Sequence, residues 1–142
     1  NTGAKLKVSP KIFNSCKVTS AEQASTWLKH HETHFKCPDD DIKHLLTQKT
    51  KTIGPNIEIT DLKACDNFDM MNQVSSLNIP TQIICGDNDL LTPPNYSQYL
   101  SDNITDSDLT VIPGSGHFSQ LDSHKIVNQT IEQFLIKMKS LI

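Results

Sequence analysis

Apolar residues in the first half of the chain recur at helical spacing, whereas those beyond residue 78 gather into short runs set off by glycine and proline. Ala21, Ala24, Trp27, Leu28, His31 and Phe35 fall on one helical face behind Ser20 and Gln23, which are spaced as a capping box. The pattern predicts a helix from Ser20 that Cys37-Pro38 stops. Asp39, Asp40 and Asp41 suit the start of a second helix carrying Ile42, Leu45 and Leu46, because the helix dipole favours anions there. Gly54-Pro55 breaks this helix. Residues 57–77 read as one or two short helices, around Leu62–Cys65 and Asp69–Leu77, and residues 1–18, with Pro10, read as irregular.

From Ile79 the period changes. A strand over 79–85 leads to a helix over 93–104, with Pro93 at its first position. A second strand, 108–113, passes through Gly114-Ser115-Gly116 to a last helix starting near Asp122 or Ser123. Val127, Ile131, Phe134, Leu135, Met138 and Ile142 form the predicted buried stripe of that helix. Strand, helix, strand, helix predicts an α/β class with parallel pairing through a right-handed crossover.

Parallel sheets collect reactive groups beyond the carboxyl ends of their strands. Asp89 and His117 each lie just past such an end, in glycine turns, so neighbouring strands would bring them to one rim. A carboxylate bonded to one imidazole nitrogen fixes the tautomer, and the other nitrogen can then deprotonate a hydroxyl nucleophile. The order Asp then His is that of the last two triad members in Ser…Asp…His hydrolases. Asp87 is the weaker candidate for the acid. No serine on a strand-to-helix elbow occurs, and Gly114-Ser115-Gly116 lies too close to His117 to be one. Together with the opening Asn1-Thr2-Gly3-Ala4, this reads as a fragment or a processed chain.

Size and composition narrow the partners. A chain of 142 residues is one domain by length. Its net charge of −3, without a basic cluster, favours neither nucleic acid nor an anionic membrane surface. No apolar run approaches the roughly 18 residues a membrane helix needs. Cys16, Cys37, Cys65 and Cys85 make no C-x-x-C pair, and Cys85 sits within an apolar strand, so reduced thiols and a cytoplasmic setting are expected. His30, His31 and His34 miss the zincin spacing by one residue, and Asp39–Asp41 lacks the glycine and distal glutamate of a calcium loop. No metal site is expected.

The run Pro80-Thr81-Gln82-Ile83-Ile84-Cys85-Gly86-Asp87-Asn88-Asp89-Leu90-Leu91-Thr92-Pro93 resembles the seventh-strand signature of the α/β-hydrolase superfamily, in its esterase, lactonase and peroxidase-like branch. Val111-Ile112-Pro113-Gly114-Ser115-Gly116-His117-Phe118 resembles that family's histidine loop, and Asn1-Thr2-Gly3-Ala4-Lys5-Leu6 the segment after its sixth strand. The resemblance implies the C-terminal portion of an α/β-hydrolase fold: residues 1–18 a connector, 19–77 a helical cap, 78–142 the end of the core. It implies Asp89 as triad acid and His117 as base, with the nucleophile and oxyanion hole on absent sequence. Leu90 and Phe118, beside the pair, are candidates for the substrate pocket wall, and Trp27, Phe35 and Phe13 could line it beneath the cap. The implied activity, without a cofactor, is cleavage of a small carboxylic ester, thioester or lactone through an acyl-enzyme. The alternative is a non-catalytic binding or scaffolding protein that kept the fold. Either way the strand at 79–85 would leave an edge and apolar helix faces bare, so the chain is expected to hold its N-terminal portion or a second copy.

Overall fold

A computed structural model of the chain describes residues 2–32 and 39–140, residues 30–32 by their backbone alone. It divides into two compact units, Leu6–Asp69 on the one hand and Asn1–Lys5 with Met70–Ile142 on the other.

The first unit is helical. Helix α1 (Pro10–Ser15) lies where an irregular segment was expected: Ser9 accepts from the Lys11 amide, and Pro10 at the first position loses no hydrogen bond there. Helix α2 (Ala21–Glu32) starts with Ser20 Oγ accepting from Gln23 N at 3.2 Å. The Gln23 side chain turns back to Thr19, not Ser20, so the box closes one residue early. The Phe35 end of the predicted face and the Cys37-Pro38 stop lie outside the described residues. Helix α3 (Asp40–Ile53) is capped by Asp39, whose Oδ1 accepts from the amides of Asp41 and Ile42. Gly54 takes φ +76°, a left-handed value that favours glycine, and the chain re-enters helix at Pro55. Helix α4 (Pro55–Asn67) extends well beyond the short helix expected around Leu62–Cys65. Trp27 is buried, and its ring nitrogen donates to Glu58 of α4.

The second unit contains the sheet. Strands β1 (Thr81–Gly86) and β2 (Ser107–Ile112) pair in parallel, in register from Thr81 opposite Ser107 to Gly86 opposite Ile112. Ile83, Cys85 and Ile112 are buried. Helix α5 (Pro94–Asn103) connects the strands and packs on both. Pro94, not Pro93, is its first residue, since Pro93 stays extended at φ −55°, ψ 157°. A single 3-10 turn, Val74–Ser76, replaces the helix expected over 69–77. Val74 is buried with Ala4 and Ile104 against Met70, Met71, Tyr99 and Leu100, which puts the unit boundary before Met70 and not at residue 78.

After β2 come the short helix α6 (Ser119–Asp122) and α7 (His124–Lys139), which packs on β1. The predicted stripe of α7 is buried only at Val127: Phe134 and Met138 are half-buried, while Ile131 and Leu135 are 43% and 54% exposed. Two strands cover too little of a sixteen-residue helix to bury the whole stripe. Ile142 lies outside the described residues.

Candidate active site

Both β1 and β2 run into polar turns at the same end of the sheet, and backbone hydrogen bonds lace these turns together. Asp87 N donates to Ile112 O at 3.1 Å, and Asn88 N donates to Ser115 O at 2.9 Å. Gly86 is obligatory at this crossing, since a methyl group on it would overlap the carbonyl oxygens of Ser115 and Gly116. The two loops therefore touch through backbone. Their side chains inherit a fixed relation.

Within that frame Asp89 Oδ2 lies 2.9 Å from His117 Nδ1. The Asp89 side chain is 5% exposed and that of His117 is 34% exposed. Asp89 Oδ1 accepts from the amides of Leu91 (2.8 Å) and Thr92 (2.9 Å), and Oδ2 also accepts from Thr92 Oγ1 at 2.8 Å. Burial alone would raise the carboxyl pKa. The Thr92 amide, the His117 contact, the Thr92 hydroxyl and the Leu91 amide outweigh it and hold Asp89 below the ordinary carboxylate value. An ionised carboxylate can only accept, so the imidazole proton sits on Nδ1 and the lone pair on Nε2. Nε2 has no hydrogen-bond partner among the described residues. In this arrangement Nε2 is open to accept a proton.

The surrounding polar groups anchor the histidine loop. Asp87 Oδ1 accepts from Gly114 N at 2.7 Å, so this carboxylate points at backbone and not at the imidazole. Gly114 has φ +76°, which reverses the chain after β2. Ser115 is wholly buried, its Oγ 2.6 Å from Ser123 Oγ, and Gly116 N donates to Asp122 Oδ2 at 2.8 Å. Phe118 meets the His117 ring edge-on, centroids 5.2 Å apart. Leu90 stands beside Asp89 with 80% of its surface exposed. Trp27 belongs to the helical unit.

Asp89 and His117 were thus brought together as their turn positions suggested. Thr92 and Asp122 were not singled out. The spacing Asp-x-x-Thr ahead of a proline was the available signal for Thr92, because an aspartate at a turn commonly accepts from the amides two and three residues on. No cluster of three or more His, Cys, Asp or Glu able to hold a metal occurs among the described residues, and the side chains of His30, His31 and His34 lie outside them. Among the described residues no helix is long and apolar enough to cross a membrane.

Comparison with known proteins gives the same fold. The chain superposes on a thermophilic esterase with a TM-score of 0.77 at 28% identity, over 96% of this chain and 54% of that one. An esterase from Exiguobacterium antarcticum matches with a TM-score of 0.76 at 19% identity, over 87% of this chain and 46% of that one. A thermophilic esterase from Thermogutta terrifontis, solved with malate bound, matches at 0.75 and 19%, over 94% of this chain and 53% of that one. The latter two likenesses concern the fold alone, and the chain spans about half the length of each of these structures. Residues 4–124, from the β-bridged N-terminus past the His117 loop, match the alpha/beta hydrolase fold family. With two parallel strands whose ends join a carboxylate to an imidazole, the chain belongs to the alpha/beta hydrolase fold family.

Proposed function

We propose that this chain supplies the acid and base of a serine-type hydrolase acting on a small carboxylic ester, thioester or lactone through an acyl-enzyme. The observation that carries the reading is the 2.9 Å contact between Asp89 and His117, with the second imidazole nitrogen open. His117 takes the proton of a hydroxyl nucleophile as that oxygen attacks the carbonyl, then returns it to the leaving group. Asp89 holds the ring in the Nδ1–H tautomer and stabilises the imidazolium while it lasts. The nucleophile and the amides that stabilise the oxyanion come from sequence outside these 142 residues. The likeness to a thermophilic esterase at 28% identity supports the class of substrate. Leu90 and Phe118, which flank the pair in sequence, form the wall beside it.

The bare apolar face of α7, with Ile131, Leu135 and Ile136 around a shallow groove, supports a partner: the N-terminal portion of the same protein or a second copy. Cys16, Cys65 and Cys85 are unpaired thiols, in keeping with a cytoplasmic site of action. The test is turnover of an activated ester by the whole protein. His117→Ala should abolish it at unchanged fold. Parent-level activity in that variant would overturn the base assignment, whereas a parent without turnover would leave the non-catalytic, scaffolding reading standing instead.

A further inference from the structure

We infer that Thr92 is a positioning residue for the acid–base pair, its hydroxyl holding the Asp89 carboxylate in the orientation that selects which imidazole nitrogen carries the proton. The inference rests on the proposed roles of Asp89 and His117. Among the described residues, Thr92 reaches both within hydrogen-bond distance: Oγ1 lies 2.8 Å from Asp89 Oδ2 and 3.3 Å from His117 Nδ1. Its backbone amide holds the other carboxylate oxygen at 2.9 Å.

A threonine hydroxyl has a single proton and two lone pairs. Here that proton goes to the carboxylate, which is the closer and the charged acceptor, so the side of Oγ1 facing His117 presents a lone pair. Nδ1 then faces two acceptors, Thr92 Oγ1 and Asp89 Oδ2, and nothing that could donate to it. Only a protonated Nδ1 satisfies both. The hydroxyl does a second thing at the same time. Two donors on Oδ1, from the Leu91 and Thr92 amides, fix one end of the carboxylate, and the hydroxyl fixes the other, so Oδ2 cannot swing away when the imidazole charges. With His117 Nδ1 as the fourth donor, the four acceptor sites of the carboxylate are filled. The side chain of Asp89 is 5% exposed, which leaves little water to replace a lost donor.

Thr92→Val tests this, because valine keeps the branched shape and the backbone amide and deletes only the hydroxyl. Thr92→Ser restores the hydroxyl, and Thr92→Ala covers the case in which valine disturbs folding. Three readouts apply: the 13C titration of the Asp89 carboxyl, the 15N tautomer state of His117, and kcat against KM for an activated ester. In the valine and alanine variants the Asp89 titration should move up, the Nδ1–H population should fall, and kcat should drop about tenfold with KM unchanged. Serine should recover all three. An Asp89 titration or His117 tautomer identical to the parent's in Thr92→Val and Thr92→Ala overturns the inference, as does an unchanged kcat. Activity surviving in His117→Ala would instead remove the catalytic reading, while the two spectroscopic readouts would still report on Thr92.

Discussion

Replacing Asp89 by asparagine alters one side-chain atom and removes one charge, yet every hydrogen bond in its environment resists the change. The carboxylate receives four donors: the amides of Leu91 and Thr92 on Oδ1, the Thr92 hydroxyl and His117 Nδ1 on Oδ2. An amide must turn its NH2 toward one of these pairs. Facing the two backbone amides it sets donors against donors that cannot rotate away. Facing the other pair it meets a hydroxyl, which can turn to accept, and an imidazole, which can change tautomer. The second orientation is therefore favoured. It moves the ring proton to Nε2, where it blocks the base. Losing the tautomer and the stabilised imidazolium together is an effect on the order of 10⁴-fold in kcat. That corresponds to about 5 kcal/mol of barrier at about 1.4 kcal/mol per decade. The assay is kcat and KM of the whole protein on an activated ester, alongside 15N spectra of the histidine ring. Activity within about tenfold of the parent, or a ring still protonated at Nδ1, would refute the reasoning.

Further outcomes follow from the same contacts. Because the folded Asp89 titrates below its ordinary value near 4, its contribution to stability is complete above that pH and is lost as pH falls through the depressed folded value. Urea midpoints measured downward from pH 5 should show an acid loss in the parent that is smaller in Asp89→Asn, and equal losses would contradict it. Gly86→Ala forces a methyl group into the Ser115 and Gly116 carbonyls and should cost about 1–3 kcal/mol of stability while lowering kcat; an unchanged urea midpoint would show that the loops do not meet there. The Cys16 thiol, pushed up to about 11 by burial and then by the neighbouring Glu58 carboxylate, should resist maleimide at neutral pH while exposed Cys65 reacts. Mass mapping of the labelled sites decides this, and equal labelling of both in the folded protein counts against it. Leu135→Glu with Ile136→Glu should reduce self-association of the chain in sedimentation; a parent that is already a well-folded monomer at micromolar concentration removes the premise.

The meeting of Asp89 with His117 was legible because it is written in turn positions. Parallel strands that end at Gly86 and at Ile112 must both release the chain at the same rim, whatever the rest of the sheet does. Helix starts at Ser20 and Asp39 were legible for a similarly local reason: a side-chain oxygen accepts from amides two or three residues on. What stayed hidden depends on direction or on neighbours. Thr92 is one of several threonines in polar surroundings, and only the folded chain reveals that its hydroxyl lies between two side chains 28 residues apart. The burial of Val74 is set by Ala4, distant in sequence, and so is the unit boundary. The stripe on α7 has the right period, but among the described residues no second surface buries it. Periodicity reports which face of a helix is apolar, not whether anything covers it.

The helical segment begins and ends at nearly one point of the chain path. Ala4 O accepts from Met70 N at 2.6 Å, and Leu6 N donates to Phe68 O at 3.3 Å, so residues 6–69 leave and return through a pair of adjacent rungs. Such a segment behaves as an interchangeable cassette. Evolution can lengthen it, reshape it or trade it for another while Lys5 and Met70 stay in place, and the acid–base pair beyond Gly86 is never cut. Recombination at those two points leaves the contact between Asp89 and His117 untouched.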